Sequence, residues 1–319
     1  MSNPSPFLIG AEGSLRTTAD HRYLIIAGTT KGATTSLYQY LGAHPQVCIS
    51  NIKETRFFLD KDYPVTGKFS LADGLESYDQ FFSQCADSNL IRVDATPDYL
   101  YSPRTAENIR ASLPNCKIVF ALREPVARLI SWYRFAKQNN TLAETISPDE
   151  YVASQLNAAA PGAEQHLRAL EQGRYARYLK AYTDQFGAEN IFITFLEALA
   201  DDPRAVMRGL CAFAQIDPRL YDRYEFHVFN RTETIRSPAL HQLYRRTRFS
   251  MINRFQSNTR LRIFFRKVRR SLEPIYLRLN RKPAPEQALF SAKTIAALKA
   301  YYQPANAELA ALLGRSLPW

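Results

Sequence analysis

Four short runs of almost uniformly apolar residues, separated by stretches of helical character, constrain this chain more than any other feature. The runs are Tyr23–Ala27, Leu90–Val93, Lys117–Leu122 and Ile191–Phe195. A run of this length without polar alternation suits a strand buried on both faces. Helical patterns occupy Thr34–Leu41, Ser102–Ser112, Pro125–Gln138, Arg174–Phe186 and Pro203–Gln215. Strands separated by helices form parallel βαβ units, so the expected fold is α/β, with three layers and a central parallel sheet.

Beyond Asn230 the strand signals stop. An Arg-rich helical stretch follows and breaks at Arg281-Lys282-Pro283-Ala284-Pro285. Two last helices are predicted at Ser291–Tyr302 and Pro304–Gly314. The division this implies is an α/β core over 1–230, a basic helical arm over 231–285, and a helical C-terminal annex over 286–319 that packs on the core. The arm holds the charge: Arg245–Lys282 carries thirteen Lys or Arg against Glu273, a local net of +12, whereas the whole chain totals +11. Such a segment suits phosphates, acidic polymers or an anionic lipid surface, or is a solvated helical face. Phe249, Phe255, Phe264 and Phe265 lie at helical spacing, and the segment lacks the glycines and stacking platform of an RNA binder. No nucleic-acid partner is expected.

No apolar run reaches the roughly 20 residues of a membrane span. The first residues, MSNPSPFLIGAEGS, lack the layout of a secretory signal. Cys48, Cys85, Cys116 and Cys211 are scattered, with no CxxC pair, which predicts neither a disulfide framework nor a metal site. A reducing cytoplasm is the expected compartment, with the arm available for peripheral contact at the inner membrane surface.

The first candidate site is Gly28-Thr29-Thr30-Lys31-Gly32-Ala33-Thr34-Thr35-Ser36, between a buried strand and a helix. The N–H groups of a helix start have no intrahelical partners and form an anion cradle. Lys31 adds charge, and Thr34, Thr35 and Ser36 add hydroxyl donors. The nucleoside-triphosphate loop reads GxxxxGK[ST], whereas here Lys31 precedes Gly32, which argues against a small-molecule kinase. The second site begins where Lys117–Leu122 ends. Arg123 falls at the C-terminal edge of the sheet, Pro125 opens a helix, and Ser131 follows two turns later. A guanidinium there forks onto a phosphate or forms a salt bridge.

The two segments together resemble the donor site of sulfotransferases that use 3′-phosphoadenosine 5′-phosphosulfate (PAPS), in the branch containing heparan sulfate sulfotransferases and their bacterial relatives. Ile25–Leu41 with His44-Pro45 and Lys53-Glu54-Thr55-Arg56-Phe57-Phe58 is similar to the 5′-phosphosulfate segment. Arg123 with Ser131 is similar to the 3′-phosphate motif, and Val93–Leu100, Gly173-Arg174-Tyr175 and Ile191–Glu197 continue the likeness. The resemblance implies a P-loop-like fold and a cytoplasmic, bacterial transferase. Its donor would be PAPS and its product adenosine 3′,5′-bisphosphate, with no metal. Lys31, Gly32, Ala33, Thr34, Thr35 and Ser36 would hold the 5′-phosphosulfate, with Lys31 also catalytic at the bridging oxygen. Arg123 and Ser131 would hold the 3′-phosphate, and Arg128 would brace the helix.

Glu54 is the candidate general base. Phe57 and Phe58 would exclude water and raise its pKa, and the resemblance assigns a glutamate in the matching segment this role. The alternative is a surface glutamate paired with Lys53 or Arg56. Asp94 stands where relatives usually have Glu, and Ala95 where heparan-modifying members tend to have Lys, which weakens the case for a strongly anionic acceptor. A carbohydrate hydroxyl is the first expectation for the acceptor, and a lipid or other small molecule the second. A rival of another class is a non-catalytic anion- or membrane-binding protein.

Overall fold

The computed structural model describes residues 21–85, 87, 89–139, 141–157, 168–227, 229 and 290–319. The basic arm Arg245–Lys282 and its docking expectation lie outside the described residues.

Five strands form one parallel sheet: β1 (Tyr23–Gly28), β2 (Val47–Ile49), β3 (Ile91–Ala95), β4 (Cys116–Leu122) and β5 (Ile191–Phe195), in the order β2-β3-β1-β4-β5. The helices among the described residues are α1 (Thr34–Gly42), α2 (Glu76–Asp79), α3 (Thr105–Ser112), α4 (Pro125–Gln138), α5 (Pro148–Asn157), α6 (Tyr175–Phe186), α7 (Leu196–Asp201), α8 (Pro203–Ala214) and α9 (Ala292–Leu313).

Burial on both faces explains the apolar runs. Along β1, Tyr23, Ile25 and Ala27 join one core with Ile109 of α3, Leu179 and Tyr182 of α6 and Leu309 of α9. Leu24 and Ile26 point the other way, onto Leu37 and Leu41 of α1 and Met207 and Leu210 of α8. The result is the expected three-layer α/β arrangement. A third cluster, built from Leu129, Trp132, Tyr151, Leu298 and Tyr302, ties α4, α5 and α9 together.

Two expectations need correction, and one strand was not read from the sequence. β2 is a strand of only three residues, too short to stand out in the sequence. The two predicted terminal helices are one helix that runs through Pro304. Burial of Tyr302, Ala305 and Leu309 on its packed face outweighs the local cost of a proline, which removes one hydrogen bond but need not end a helix anchored on both sides. The cysteines are not all free. Cys48 and Cys85 form a disulfide with Cα atoms 5.8 Å apart, leaving Cys116 and Cys211 as buried thiols. Structural disulfides persist in oxidising compartments, so the cysteine argument for a reducing one falls away.

Candidate active site

The connection from β1 runs by way of β2 to β3 on one side, while β4 joins on the other. β1 and β4 therefore flank the switch point of the sheet, where open α/β folds form their ligand crevice. Lys31 follows β1 and Arg123 follows β4, so the topology puts both at this crevice.

The loop after β1 is pinned by its backbone. Thr29 N–H donates to Ala121 O of β4 at 2.9 Å, and Gly32 N–H to Thr29 O at 3.0 Å. A Cβ on Gly32 would sit 2.1 Å from Ala121 O, so only glycine permits this approach. Lys31 (φ 67°) and Ala33 (φ 69°) adopt left-handed backbone conformations. Strained residues of this kind concentrate at functional sites. Ala33 is the N-cap of α1 and offers no side-chain cap, and the first turn holds no acidic residue. The start of α1 therefore keeps its positive end for an anion.

Arg123 reaches back to this loop, its Nη1 donating to Lys31 O at 3.5 Å, while Tyr175 OH holds Arg123 O at 2.8 Å. Burial, helped by the adjacent Arg123 charge, brings the Lys31 pKa down to about 8. Burial also lowers the Arg123 pKa, although Glu197 and Glu124 counter it. Arg123 Nε is buried without a partner. Two cations crowded in this way, with an unused donor between protein walls, fit an anionic ligand that restores both.

Helix α4 closes the site from above. Arg128 is fully buried, donating through Nη1 to Thr30 Oγ1 at 3.4 Å and through Nη2 to Ala169 O. Two turns on, the Phe135 ring lies 4.5 Å from Lys31 Nζ. Ser131 lies between them in sequence, on the same face of the helix. The N-terminus of α4 is already used, because the Glu124 carboxylate accepts from Val126 and Ala127 N–H. Arg128 braces the helix as expected. Phe135 was not singled out in the sequence, and its i,i+4 relation to Ser131 is the signal that could have found it.

Glu54 arrives from the other side of β1. Its N–H donates to Ala95 O at the end of β3, and Thr96 N–H donates to Ile26 O of β1. Glu54 thus stands at the same sheet edge as Lys31, above the neighbouring strand. Its carboxylate pairs with Lys53 Nζ at 2.9 Å and Arg56 Nη2 at 3.2 Å, and the side chain is 35% exposed. This corrects the expectation of a raised pKa. Burial pushes the carboxyl up, but Lys53 and Arg56 outweigh it and hold the group below the usual carboxylate range. Among the described residues no His, Cys, Asp or Glu cluster could hold a metal ion.

The sequence profile of the sulfotransferase domain matches residues 21–234, spanning every element named above except α9. The chain belongs to the sulfotransferase domain family. Among curated relatives, the membrane-associated sulfotransferase kil1 of Dictyostelium discoideum is 35% identical over 116 residues, 36% of this chain and 23% of that protein. The bifunctional heparan sulfate N-deacetylase/N-sulfotransferase of Drosophila melanogaster is 28% identical over 220 residues, 62% of this chain and 20% of that protein. The chain thus spans about a fifth to a quarter of the length of these curated relatives. In structure, a sulfotransferase from Alicyclobacillus acidocaldarius aligns over 93% of this chain and 97% of its own, with a TM-score of 0.65 and 22% identity, a likeness of fold.

Proposed function

We propose that this chain transfers the sulfuryl group of PAPS to a hydroxyl or amine of an acceptor. The observation that carries the reading is the convergence of Lys31 and Arg123, 92 positions apart in sequence, on one glycine-shaped crevice at the β1–β4 switch point. The start of α1, with Lys31, Gly32, Ala33, Thr34, Thr35 and Ser36, would hold the 5′-phosphosulfate, and Arg123 with Ser131 the 3′-phosphate. In the transfer, the acceptor atom bonds to sulfur as the bond from sulfur to the bridging oxygen breaks. The acceptor's proton passes to the Glu54 carboxylate. The electron pair stays on the phosphate of adenosine 3′,5′-bisphosphate, beside the Lys31 ammonium, which is the role positive charge takes in related group transfers. With its lowered pKa, Glu54 is ionised and able to accept a proton at neutral pH. The names of the heparan sulfate relatives favour a carbohydrate acceptor, with a lipid or small molecule second.

Two measurements test this. Calorimetry should show much weaker binding of adenosine 5′-phosphosulfate than of PAPS, and equal affinity would remove Arg123 and Ser131 from the donor site. Radiolabelled transfer to fractionated extracts, with mass spectrometry of the product, identifies the acceptor. On that acceptor Glu54→Gln should cut turnover by ~10²–10⁴-fold with donor affinity little changed.

A further inference from the structure

Asp94, on β3, is completely buried, and its partners are hydroxyl groups rather than cations. Oδ2 accepts from Thr55 Oγ1 at 2.6 Å, Tyr99 OH at 3.0 Å and Tyr78 OH at 3.2 Å, while Oδ1 accepts from Thr96 Oγ1 at 3.1 Å. Burial raises the Asp94 pKa, and the hydroxyl hydrogen bonds work against that by favouring the ionised, accepting form.

The direction of those bonds matters. A hydroxyl has one proton, and one given to Asp94 or, between Thr55 Oγ1 and Tyr99 OH 3.0 Å apart, to the neighbouring hydroxyl leaves only lone pairs to face the amides. Three of these hydroxyls turn those lone pairs to consecutive backbone amides. Thr96 Oγ1 accepts from Arg56 N–H at 3.2 Å, Thr55 Oγ1 from Phe57 N–H at 3.4 Å, and Tyr99 OH from Phe58 N–H at 3.3 Å. The segment they hold begins at Glu54, where Glu54 (φ 65°) and Arg56 (φ 59°) are both left-handed without being glycine. A side chain in that region carries a steric cost, so the conformation persists only while its surroundings impose it.

We propose that Asp94 is a positioning residue. As an acceptor it orients the Thr55, Thr96 and Tyr99 hydroxyls so that they fasten residues 56–58 and hold the Glu54 carboxylate at the sheet edge. This rests on the reading of Glu54 as the base. The geometric part is testable without it.

The test compares Thr55→Val, which keeps the shape but removes the hydroxyl, with Thr55→Ser, which keeps the hydroxyl, and with Asp94→Asn. Three readouts need no acceptor: hydrogen exchange of the peptide spanning residues 54–60, a carbon-13 NMR titration of the Glu54 carboxyl, and calorimetry with adenosine 3′,5′-bisphosphate. In Thr55→Val and Asp94→Asn the exchange of residues 56–58 should speed up ~10-fold, as expected for one lost hydrogen bond opening a local segment. The Glu54 titration should move up toward the ordinary carboxylate value as the loosened segment no longer fixes Glu54 against Lys53 and Arg56. Thr55→Ser should behave as wild type, and nucleotide affinity should stay within ~2-fold in all three, since the donor loop is fastened separately. Unchanged exchange and titration in a folded Thr55→Val would overturn the proposal. So would loss of protection throughout the sheet together with nucleotide binding, the mark of a general structural role. If Asp94→Asn does not fold, the Thr55 pair decides. Should Glu54→Gln keep full turnover while these shifts appear, the positioning stands and the base must be sought elsewhere.

Discussion

The two loops that meet at this sheet edge use the same local device and opposite fastenings. Each carries two left-handed non-glycine residues two positions apart, Lys31 with Ala33 and Glu54 with Arg56. The loop after β1 is held by its own backbone against β4, through Thr29 N–H and the close approach of Gly32. The Glu54 loop is held by side-chain hydroxyls gathered on one buried carboxylate. A backbone fastening holds its loop through peptide groups and does not draw on the Lys31 side chain. A side-chain fastening spends Thr55, Thr96 and Tyr99 on architecture and makes the loop sensitive to single substitutions remote from the chemistry.

The sharpest way to break this contrast is Gly32→Ala. The new methyl would meet Ala121 O on β4, a strand paired on both sides that cannot retreat. Stability should fall by about 3 kcal/mol, and adenosine 3′,5′-bisphosphate should bind ~100-fold more weakly, by thermal unfolding and calorimetry. Retained affinity would mean the backbone is not the fastening.

Next in size is the Cys48–Cys85 bond, which anchors the β2 side and closes a loop that contains Glu54. Cys85→Ser should cost about 2–3 kcal/mol in denaturant unfolding. Nucleotide affinity should not change, and a loss there would couple the two loops that the contrast separates.

The pH axis should divide them as well. Deprotonating Lys31 removes a cation, so nucleotide affinity should drop as pH rises through about 8. If Lys31 alone limits binding, the fall between pH 7 and 9 is ~10-fold. The Glu54 pairing runs the other way. A carboxylate with a lowered folded pKa lends stability above its unfolded pKa and loses it as pH falls through the folded one. Arg123→Gln should weaken nucleotide binding through the 3′-phosphate, and the smallest effect is the one it has on Lys31. Removing that neighbouring charge should move the alkaline midpoint of Lys31 upward, visible in the pH profile of residual binding.

Much of the Lys31 side was legible in the sequence as strand, loop and helix because its signals are local. Uniformly apolar residues mark β1 and β4, the Gly28–Ser36 segment follows directly on a strand, and Pro125 marks the start of α4. The Glu54 side was legible only in part. Glu54 and its neighbours Lys53 and Arg56 are visible at a glance, but the sign of the pKa shift depends on which of burial and pairing wins, and that requires distances. The hydroxyl set on Asp94 draws on positions 55, 78, 96 and 99, which share no period. The bond between Cys48 and Cys85 closes over a separation of 37 residues that no spacing rule announces. Pro304 misled in the other direction, since a local breaker was overruled by packing.

The Glu124 cap on α4 has an evolutionary consequence. Because that helix keeps its positive end for its own glutamate, recognition at the Arg123 end of the crevice would, on the proposed assignment, rest on side chains, whereas the cradle after β1 would add the peptide amides of an uncapped helix start to its side chains. Side chains change by single codon substitutions; a backbone cradle is inherited with the fold. On the proposed assignment, a descendant of this chain could exchange one nucleotide for another through Arg123 and Ser131 while keeping the same grip on the transferred group. Diversification of the donor would then begin at β4, and the loop after β1 would be the last part of the site to drift.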